Sequence, residues 1–520
     1  MTDTTPTSPD GEPTPGAYDP ATGGTAGAAG AYGTGDPATE TLPEPKRGPG
    51  KGVVIGIGAT VLAVIAGAAV YATTALSGGG RQPDELAPKS SFAYAKIDLD
   101  PAANQKLATR EFLGKFPKLK EKTGAGDENP FEALLEAMFE GEEDVSYDTD
   151  IKPWFDKRAA VAGFRSTDGP TAVGIFQSKD DGKARTAMGK LAAEAKEDGE
   201  EFAWKIDDGY VVVGDTQAHV DDAIAQAKKE SIKKNTTFTQ DLERLGGDQV
   251  AVGWVDIRSA FDLVKDQVPD AGLIPNAITD QIKGRMVAGL HMNGDYAEVS
   301  GYALGMEQQG VVPQAGDPAL LKNLPAGTVA AVSVQGLAEQ VKNGLSQLSA
   351  LGMDAQEFVG PFLQELGLSL EGDVLPLLGD QTVVALGEVP TSPEEVAAGL
   401  VSVVKDPTAA KTDGAKLAAA LQQMGLPVKA DVSGSTFYLA TENYLNELKS
   451  GKGLGGSEKF TKAMGDLGSV SLAAYVDLET VIPAFANPSE RADVAALKSV
   501  GIVSGYDKGV GFFRLRVVAL

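Results

Sequence analysis

The stretch TFTQDLERLGGDQVAVGWVDI (residues 237–257) recurs later in the chain as KFTKAMGDLGSVSLAAYVDL (459–478). Phe238 matches Phe460 at an offset of 222 residues, and Asp256 matches Asp477 at an offset of 221. A match at a nearly constant offset indicates an internal repeat, and a repeat decides the architecture before any single element does.

Two further pairs of segments match in the same order. DIKPWFDKRAAVAGF (150–164) aligns without gaps with DVLPLLGDQTVVALG (373–387), and LAPKSSFAYAKIDL (86–99) resembles LPAGTVAAVSVQGL (324–337). Three ordered matches predict two homologous halves. The predicted boundaries of the halves are residues 84–306 and 318–520.

Each half has the same pattern of predicted strands and helices. The clearest element is EFAWKIDDGYVVVGD (201–215), in which apolar residues alternate around the turn signal Asp208-Gly209. A hairpin also closes each half, at 285–304 and 498–519, and apolar spacing predicts a helix over 131–139. We therefore predict an α+β fold of two tandem repeats, each a mainly antiparallel sheet with helices on one face.

The chain begins with two segments of a different kind. Residues 1–50 are rich in Pro, Gly and Thr, which predicts a disordered tail. Residues 53–76 contain no charge and, as a helix, would extend about 36 Å, enough for a hydrocarbon core of about 30 Å. We predict a single transmembrane helix at this position.

The charges beside the predicted span give its orientation. Lys46, Arg47 and Lys51 precede it, so the positive-inside rule places the tail in the cytoplasm and residues 81–520 outside the cell membrane. A cleavable signal peptide is the alternative, but the leader is too long for one. Small residues at every fourth position of the span allow weak self-association, and the Thr-rich tail could be phosphorylated.

Composition excludes several classes of function. The net charge of −26 argues against nucleic acid as a partner, because phosphate binding needs clustered Lys and Arg. The chain has no Cys and two His, which excludes Cys-ligated metals and leaves little room for a zinc site. No catalytic or cofactor-binding motif is present, so we predict no cofactor and no enzymatic activity.

Three carboxylates stand at the ends of predicted strands: Asp98, Asp256 and Asp477. A carboxylate at a strand end that opens a helix commonly caps the free N–H groups of that helix. We predict this structural role for all three. The alternative is a hydrolase that uses paired aspartates, which requires carboxylates about 5–9.5 Å apart.

A second acidic cluster lies in 131–150, where Asp144, Asp148 and Asp150 alternate with other residues like the ligands of a calcium loop. The segment lacks the Gly at the sixth position and the Glu at the twelfth position that such a loop needs. These three aspartates are therefore weak metal candidates, and a solvated loop is the simpler interpretation.

Three motifs resemble a known family: FAYAKIDLDP (92–101), DIKPWF (150–155) and DVLPLLGD (373–380). With the tail and the single span, they are similar to actinobacterial membrane-anchored proteins of the domain-of-unknown-function 3352 family. The resemblance covers about 84–520. It implies a location in the cell envelope and no established activity, so it supplies no catalytic residues.

Taken together, these features predict a single-pass, membrane-anchored extracytoplasmic protein that binds an envelope protein, polymer or lipid without catalysis. A carrier of a lipid or other apolar ligand is the first alternative, with the ligand on the sheet of each half. A hydrolase with paired Asp residues is the second.

Overall fold

The computed structural model describes most of the chain after residue 80. The described residues are 81–117, 146–197, 199–264, 283–306, 314–350, 355–390, 392, 395–488 and 491–520. All of them belong to one compact unit, Pro49–Leu520.

The described residues form sixteen β-strands. Their bounds are β1 Ala93–Asp98, β2 Phe155–Ser166, β3 Gly169–Ser178, β4 Ala203–Asp207, β5 Tyr210–Gly214, β6 Ala251–Asp256, β7 Arg285–Asn293, β8 Tyr296–Leu304, β9 Ala330–Gln335, β10 Gln381–Leu386, β11 Ala398–Val403, β12 Val428–Ser433, β13 Thr436–Thr441, β14 Leu472–Asp477, β15 Leu497–Asp507 and β16 Val510–Ala519. The hairpins predicted at 201–215, 285–304 and 498–519 are confirmed.

The α-helices lie between these strands in the sequence, and several of them pack on the sheet. Their bounds are α1 Ala103–Leu113, α2 Asp181–Glu197, α3 Gln217–Lys229, α4 Thr236–Glu243, α5 Ile257–Val264, α6 Ala319–Lys322, α7 Leu337–Ala350, α8 Ala355–Glu365, α9 Pro407–Gln423, α10 Leu445–Ser450, α11 Glu458–Met464, α12 Leu478–Phe485 and α13 Arg491–Val494. The fold is therefore a mixture of helices with one large antiparallel sheet.

The sixteen strands form a single sheet in the order β12-β13-β11-β10-β9-β14-β15-β16-β8-β7-β6-β1-β2-β3-β5-β4. From β12 inwards to β16, the second half repeats the order that the first half has from β4 inwards to β8. We expected each half to have a sheet of its own. Instead the two sets of eight strands join edge to edge at β8 and β16.

The junction pairs the last strand of each half with the other. Ala297 lies opposite Val517, Ala303 lies opposite Gly511, and Ser300 faces Arg514 midway between them. Positions that correspond in the two hairpins thus exchange places across the junction, as they would around a two-fold axis.

Helices pack on both faces of the sheet, which corrects the prediction of one covered face. Val212 of β5 lies in a buried cluster with residues of α3 and α4, whereas its neighbours Val211 and Val213 lie in another cluster with residues of α2. Successive residues of a strand point to opposite faces, so α2 and α3 cover different sides. The second half is arranged alike: α9 packs against one cluster, and α10 and α11 pack against another.

Several sequence predictions lie outside the described residues. These are the tail at 1–50, the transmembrane span at 53–76 and the helix at 131–139. Among the residues that the structure does describe, no helix combines the length and the apolar character that crossing a bilayer requires.

Candidate ligand-binding face

One face of the sheet carries an unbroken row of apolar side chains across all sixteen described strands. Directly opposed residues of antiparallel strands point to the same face, so the strand register identifies the row. From β12 to β4 it contains Ala430, Leu439, Leu400, Val384, Val332, Ala474, Ile502, Leu515, Val299, Leu290, Ala251, Ile97, Ala159, Phe176, Val211 and Ile206.

The part of this face on β10, β9, β14, β15 and β16 is here called the open face. It consists of three cross-strand rows: Thr382, Val334, Leu472, Ser504 and Phe513; Val384, Val332, Ala474, Ile502 and Leu515; Leu386, Ala330, Val476, Val500 and Val517. Apart from two hydroxyl side chains, every member is apolar, and none is charged. At about 4.8 Å between strands and about 3.4 Å per residue, the area measures roughly 19 by 14 Å.

The centre of the open face is solvent-accessible, whereas the central pair of the corresponding area in the first half is buried. Val332 and Val384, which pair across β9 and β10, are 43% and 52% exposed, and Ile502 is 40% exposed. The pair at the same place in β1 and β2 is Ala95 and Val161, at 3% and 2%. Equivalent positions in one sheet thus differ in whether the chain itself covers them.

Helices that follow the strands of the open face also present apolar side chains to solvent. Leu348 of α7, Phe362 of α8 and Phe485 of α12 are exposed. Large exposed apolar patches mark sites for ligands or partners. The sequence gives no signal for this site, because a strand that packs under a helix and a strand that meets a ligand have the same apolar pattern.

The structure places the three predicted capping aspartates in two different roles. Asp477 is the N-cap of α12 and accepts a hydrogen bond from the Thr480 N–H at 3.2 Å. Asp256 precedes α5 and accepts one from the Ser259 N–H at 2.9 Å. Asp98 differs from the prediction, because the helix after β1 has Ala102 at its N-cap position.

Asp98 instead forms a buried ion pair. Its Oδ2 atom accepts a hydrogen bond from Arg158 Nε at 2.8 Å, and the two side chains are 0% and 3% exposed. Asp98 lies opposite Arg158 in the pairing of β1 with β2, and Gln335 lies opposite Gln381 in the pairing of β9 with β10. The second half therefore has two neutral amides where the first half has two charges.

Asp98 and Asp256 do not form a pair of catalytic carboxylates. Their strands are antiparallel neighbours in which Ala93 lies opposite Val255 and Ile97 lies opposite Ala251. The two aspartates are therefore at opposite ends of the strand pair, about 20 Å apart at about 3.4 Å per residue. Acid–base catalysis by two carboxylates needs about 5–9.5 Å, so this geometry gives the hydrolase alternative no support.

Two of the three metal candidates lie in a turn that the other half also has. Asp150 accepts hydrogen bonds from the Ser146 N–H at 3.0 Å and from Lys190 Nζ at 2.9 Å. Asp373 does the same with Lys416 and Ser369, whose hydrogen bonds lower the pKa of Asp373 to about 2. These contacts tie a turn to α2 and to α9, so the carboxylate has a structural role.

The remaining candidates show no metal geometry. Asp148 is exposed and lies 3.5 Å from Lys152, and Asp144 is outside the described residues. Within the described part of the chain, no three His, Cys, Asp or Glu side chains are grouped so that they could hold a metal ion.

The two histidines have different surroundings. His291 Nδ1 lies 3.2 Å from the Asp248 carbonyl oxygen and 3.2 Å from Gln105 Nε2. His219 lies between two carboxylates, with Nδ1 2.6 Å from Asp215 and Nε2 2.8 Å from Asp168. Because a neutral imidazole has only one N–H, both contacts are hydrogen bonds only when His219 is protonated.

The contact of His219 with both carboxylates, here called the clamp, makes one contribution to the stability of the fold depend on pH. Partial burial by itself lowers the pKa of His219, but the hydrogen bonds to Asp215 and Asp168 outweigh it and raise the pKa above the usual value. The clamp is therefore fully formed below about pH 6.5, the pKa of an unfolded histidine, and is lost as pH rises through the raised pKa.

We expect Asp168→Asn to lower the pKa of His219, because it removes one of the two anionic partners. Proton NMR titration of the imidazole Cε1–H signals measures this directly, since the chain has two histidines. His291 contacts neither carboxylate, so its signal serves as the internal control. An unchanged His219 titration in the variant would show that Asp168 does not hold the ring in solution.

Comparison with protein families gives a match that includes parts of both halves of the sheet. Residues 192–436 match the family model "Protein of unknown function (DUF3352)". The match runs from α2 to the first residue of β13 and supports the DUF3352 resemblance noted in the sequence. Comparisons with curated proteins and with solved structures gave no match.

Proposed function

We propose that this protein is a membrane-anchored, extracytoplasmic binding module that holds an acyl chain of a lipid on the open face. One observation carries the proposal: Val332, Val384 and Ile502 are 43%, 52% and 40% exposed at the centre of a charge-free surface. Burying one such side chain stabilises a complex by about 1.5–3 kcal/mol. An apolar ligand would supply the cover that the described part of the chain does not.

The composition of the open face favours an alkyl ligand over a protein partner. Interfaces between proteins depend on Trp, Tyr and Arg anchors and on about one hydrogen bond per 100–200 Å². The open face has aliphatic side chains, one phenylalanine and two hydroxyls. Its length of roughly 19 Å exceeds the roughly 15 Å that one acyl chain spans in half of a bilayer core.

The remaining parts of the proposal come from the sequence. The span predicted at 53–76 would keep the sheet beside the membrane, where lipids are at hand, and the charges around it favour an extracytoplasmic sheet. We also infer that the two sets of eight strands arose by duplication, which their common strand order supports. After duplication, the first half buried the central pair of its copy of the face and the second half left that pair accessible.

Photo-crosslinking tests the proposal in cells that express the full chain. A fatty acid with a diazirine in its alkyl chain should label β9, β10 and β15, and peptide mapping should locate the label. We expect Val332→Asp to lower this labelling by about tenfold or more, because a carboxylate at the centre of the face cannot be buried against an alkyl chain without a large cost.

The matched control is Leu107→Asp in α1, which introduces the same charge at a leucine that is 68% exposed and is not a member of the open face. Its labelling should equal that of the unmodified protein. Labelling that is absent from the open face, or that Val332→Asp leaves unchanged, would overturn the proposal.

A further inference from the structure

A shallow, open pocket lies at the β4 edge of the sheet, away from the open face. It has a volume of about 630 Å³, which is within the usual range for sites of small ligands. Its walls are the last turns of α2, the segment that leads into β4, and the residues between β5 and α3. The residues that matter for its chemistry are Lys196, Glu200, Glu201, Phe202, Trp204 and Asp215.

The walls of this pocket combine aromatic rings with negative charge. Phe202 and Trp204 supply the rings, and both are partly exposed. Three carboxylates and one ammonium group, that of Lys196, belong to the lining, so the lining carries an excess of negative charge. A cation over the face of a tryptophan ring is attracted by the ring quadrupole, by about 0.5–1 kcal/mol at exposed sites and more when it is desolvated.

The position of Asp215 is fixed by its neighbours. Its Oδ1 atom lies 2.7 Å from the Thr216 N–H and 2.6 Å from His219 Nδ1. This carboxylate is therefore held at the wall of the pocket by contacts on the side of α3, and it contributes a negative charge at a defined place.

We propose that this pocket binds a small organic cation with an ammonium head group, such as a quaternary amine. An anion is disfavoured, because the three carboxylates outnumber the two cations beside them, Lys196 of the lining and the protonated His219 that pairs with Asp215. A bare metal ion is disfavoured, because no group of ligands for one is present among the described residues. The aromatic walls suit a cation that is bulky and weakly hydrated.

Among the described residues, the second half lacks the chemistry of this pocket. At the hairpin positions that correspond to Glu200, Phe202 and Trp204, it has Leu426, Val428 and Ala430. The proposal is therefore independent of the open face, which belongs to the second half.

The test uses the full chain in detergent micelles, with choline as the probe and saturation-transfer NMR as the readout. We expect saturable binding of choline. 3,3-Dimethylbutan-1-ol has the same shape without the charge, and we expect it to bind at least tenfold more weakly. Equal binding of the two compounds, or no saturable binding of choline, would overturn the proposal.

Two substitutions at one position then test the role of the ring. Trp204→Leu should weaken choline binding about fivefold, in line with about 1 kcal/mol for the lost cation–π contact. Trp204→Phe keeps an aromatic face and should weaken it less. The affinities for choline are compared only when the unfolding midpoints of both variants match that of the unmodified protein. Equal affinities of Trp204→Leu and the unmodified protein would overturn the proposal.

Discussion

Replacing Asp98 by Ala is expected to lower the free energy of unfolding by about 3–5 kcal/mol. The reason is that Asp98 and Arg158 are 0% and 3% exposed, so the substitution leaves a guanidinium group buried without its carboxylate. Urea denaturation followed by circular dichroism measures the change. An effect below about 1 kcal/mol would mean that water or another group already compensates Arg158.

The chain itself supplies the control for this prediction. The second half has Gln335 and Gln381 at the equivalent positions. The double variant Asp98→Gln with Arg158→Gln should therefore recover most of the loss, because two amides can pair without the cost of burying charge. A double variant as unstable as Asp98→Ala would show that the ion pair fits surroundings that the second half lacks.

The second large effect is expected at the junction between β8 and β16. Arg516 lies opposite Glu298, with Nε 2.5 Å from Oε2, and its guanidinium group lies 4.2 Å from the centre of the Tyr296 ring. Both charged side chains are 15% exposed. Arg516→Leu should lower the free energy of unfolding by about 2–3 kcal/mol, because Glu298 loses a charge-assisted hydrogen bond in a site that is largely shielded from water.

The location of the tryptophans allows this junction to be followed separately. The chain has three of them, Trp154, Trp204 and Trp254, and all lie in the first half. Tryptophan fluorescence therefore follows the first half, whereas circular dichroism follows both. We expect the two transitions to coincide in the unmodified protein and to separate in Arg516→Leu.

The matched control for the junction is Arg185→Leu, which removes an exposed arginine from α2. It should leave the two transitions coincident and change stability by no more than about 0.5 kcal/mol. Separate transitions in the unmodified protein would instead mean that the shared sheet does not couple the halves.

The strands and hairpins could be predicted from the sequence because their signals are local. Asp208 and Gly209 both have positive φ, 50° and 77°, as the two-residue turn between β4 and β5 requires. The alternation of apolar residues on either side then sets the strands. Nothing beyond neighbouring residues is needed to recognise such a hairpin.

The residue-by-residue correspondence between the two halves is harder to predict, because it depends on hydrogen bonds between strands that are distant in the sequence. The sequence match of 86–99 with 324–337 puts Asp98 against Gly336. The strand register puts it against Gln335, one residue earlier. Small apolar residues fit either alignment, so the match was wrong by one residue, and the counterpart of the buried ion pair was missed.

The sequence of β5 carries a signal for the second covered face. Tyr210, Val211, Val212 and Val213 form a continuous apolar run, and all of β5 is buried. A half-exposed strand alternates, whereas a strand covered on both faces does not. The open face had no such signal, because its exposure depends on which helices reach it and not on the residues of its own strands.

The place of β16 in the sheet has a consequence for biosynthesis. This strand follows every other described strand in the sequence, yet it lies inside the sheet, with β15 on one side and β8 on the other. While the chain is being made, the first half can fold, but β8 keeps an unpaired edge until β16 arrives. β8 and β16 occupy equivalent places in the two halves. The unpaired edge of β8 is therefore also a template for the β8 edge of a neighbouring nascent chain.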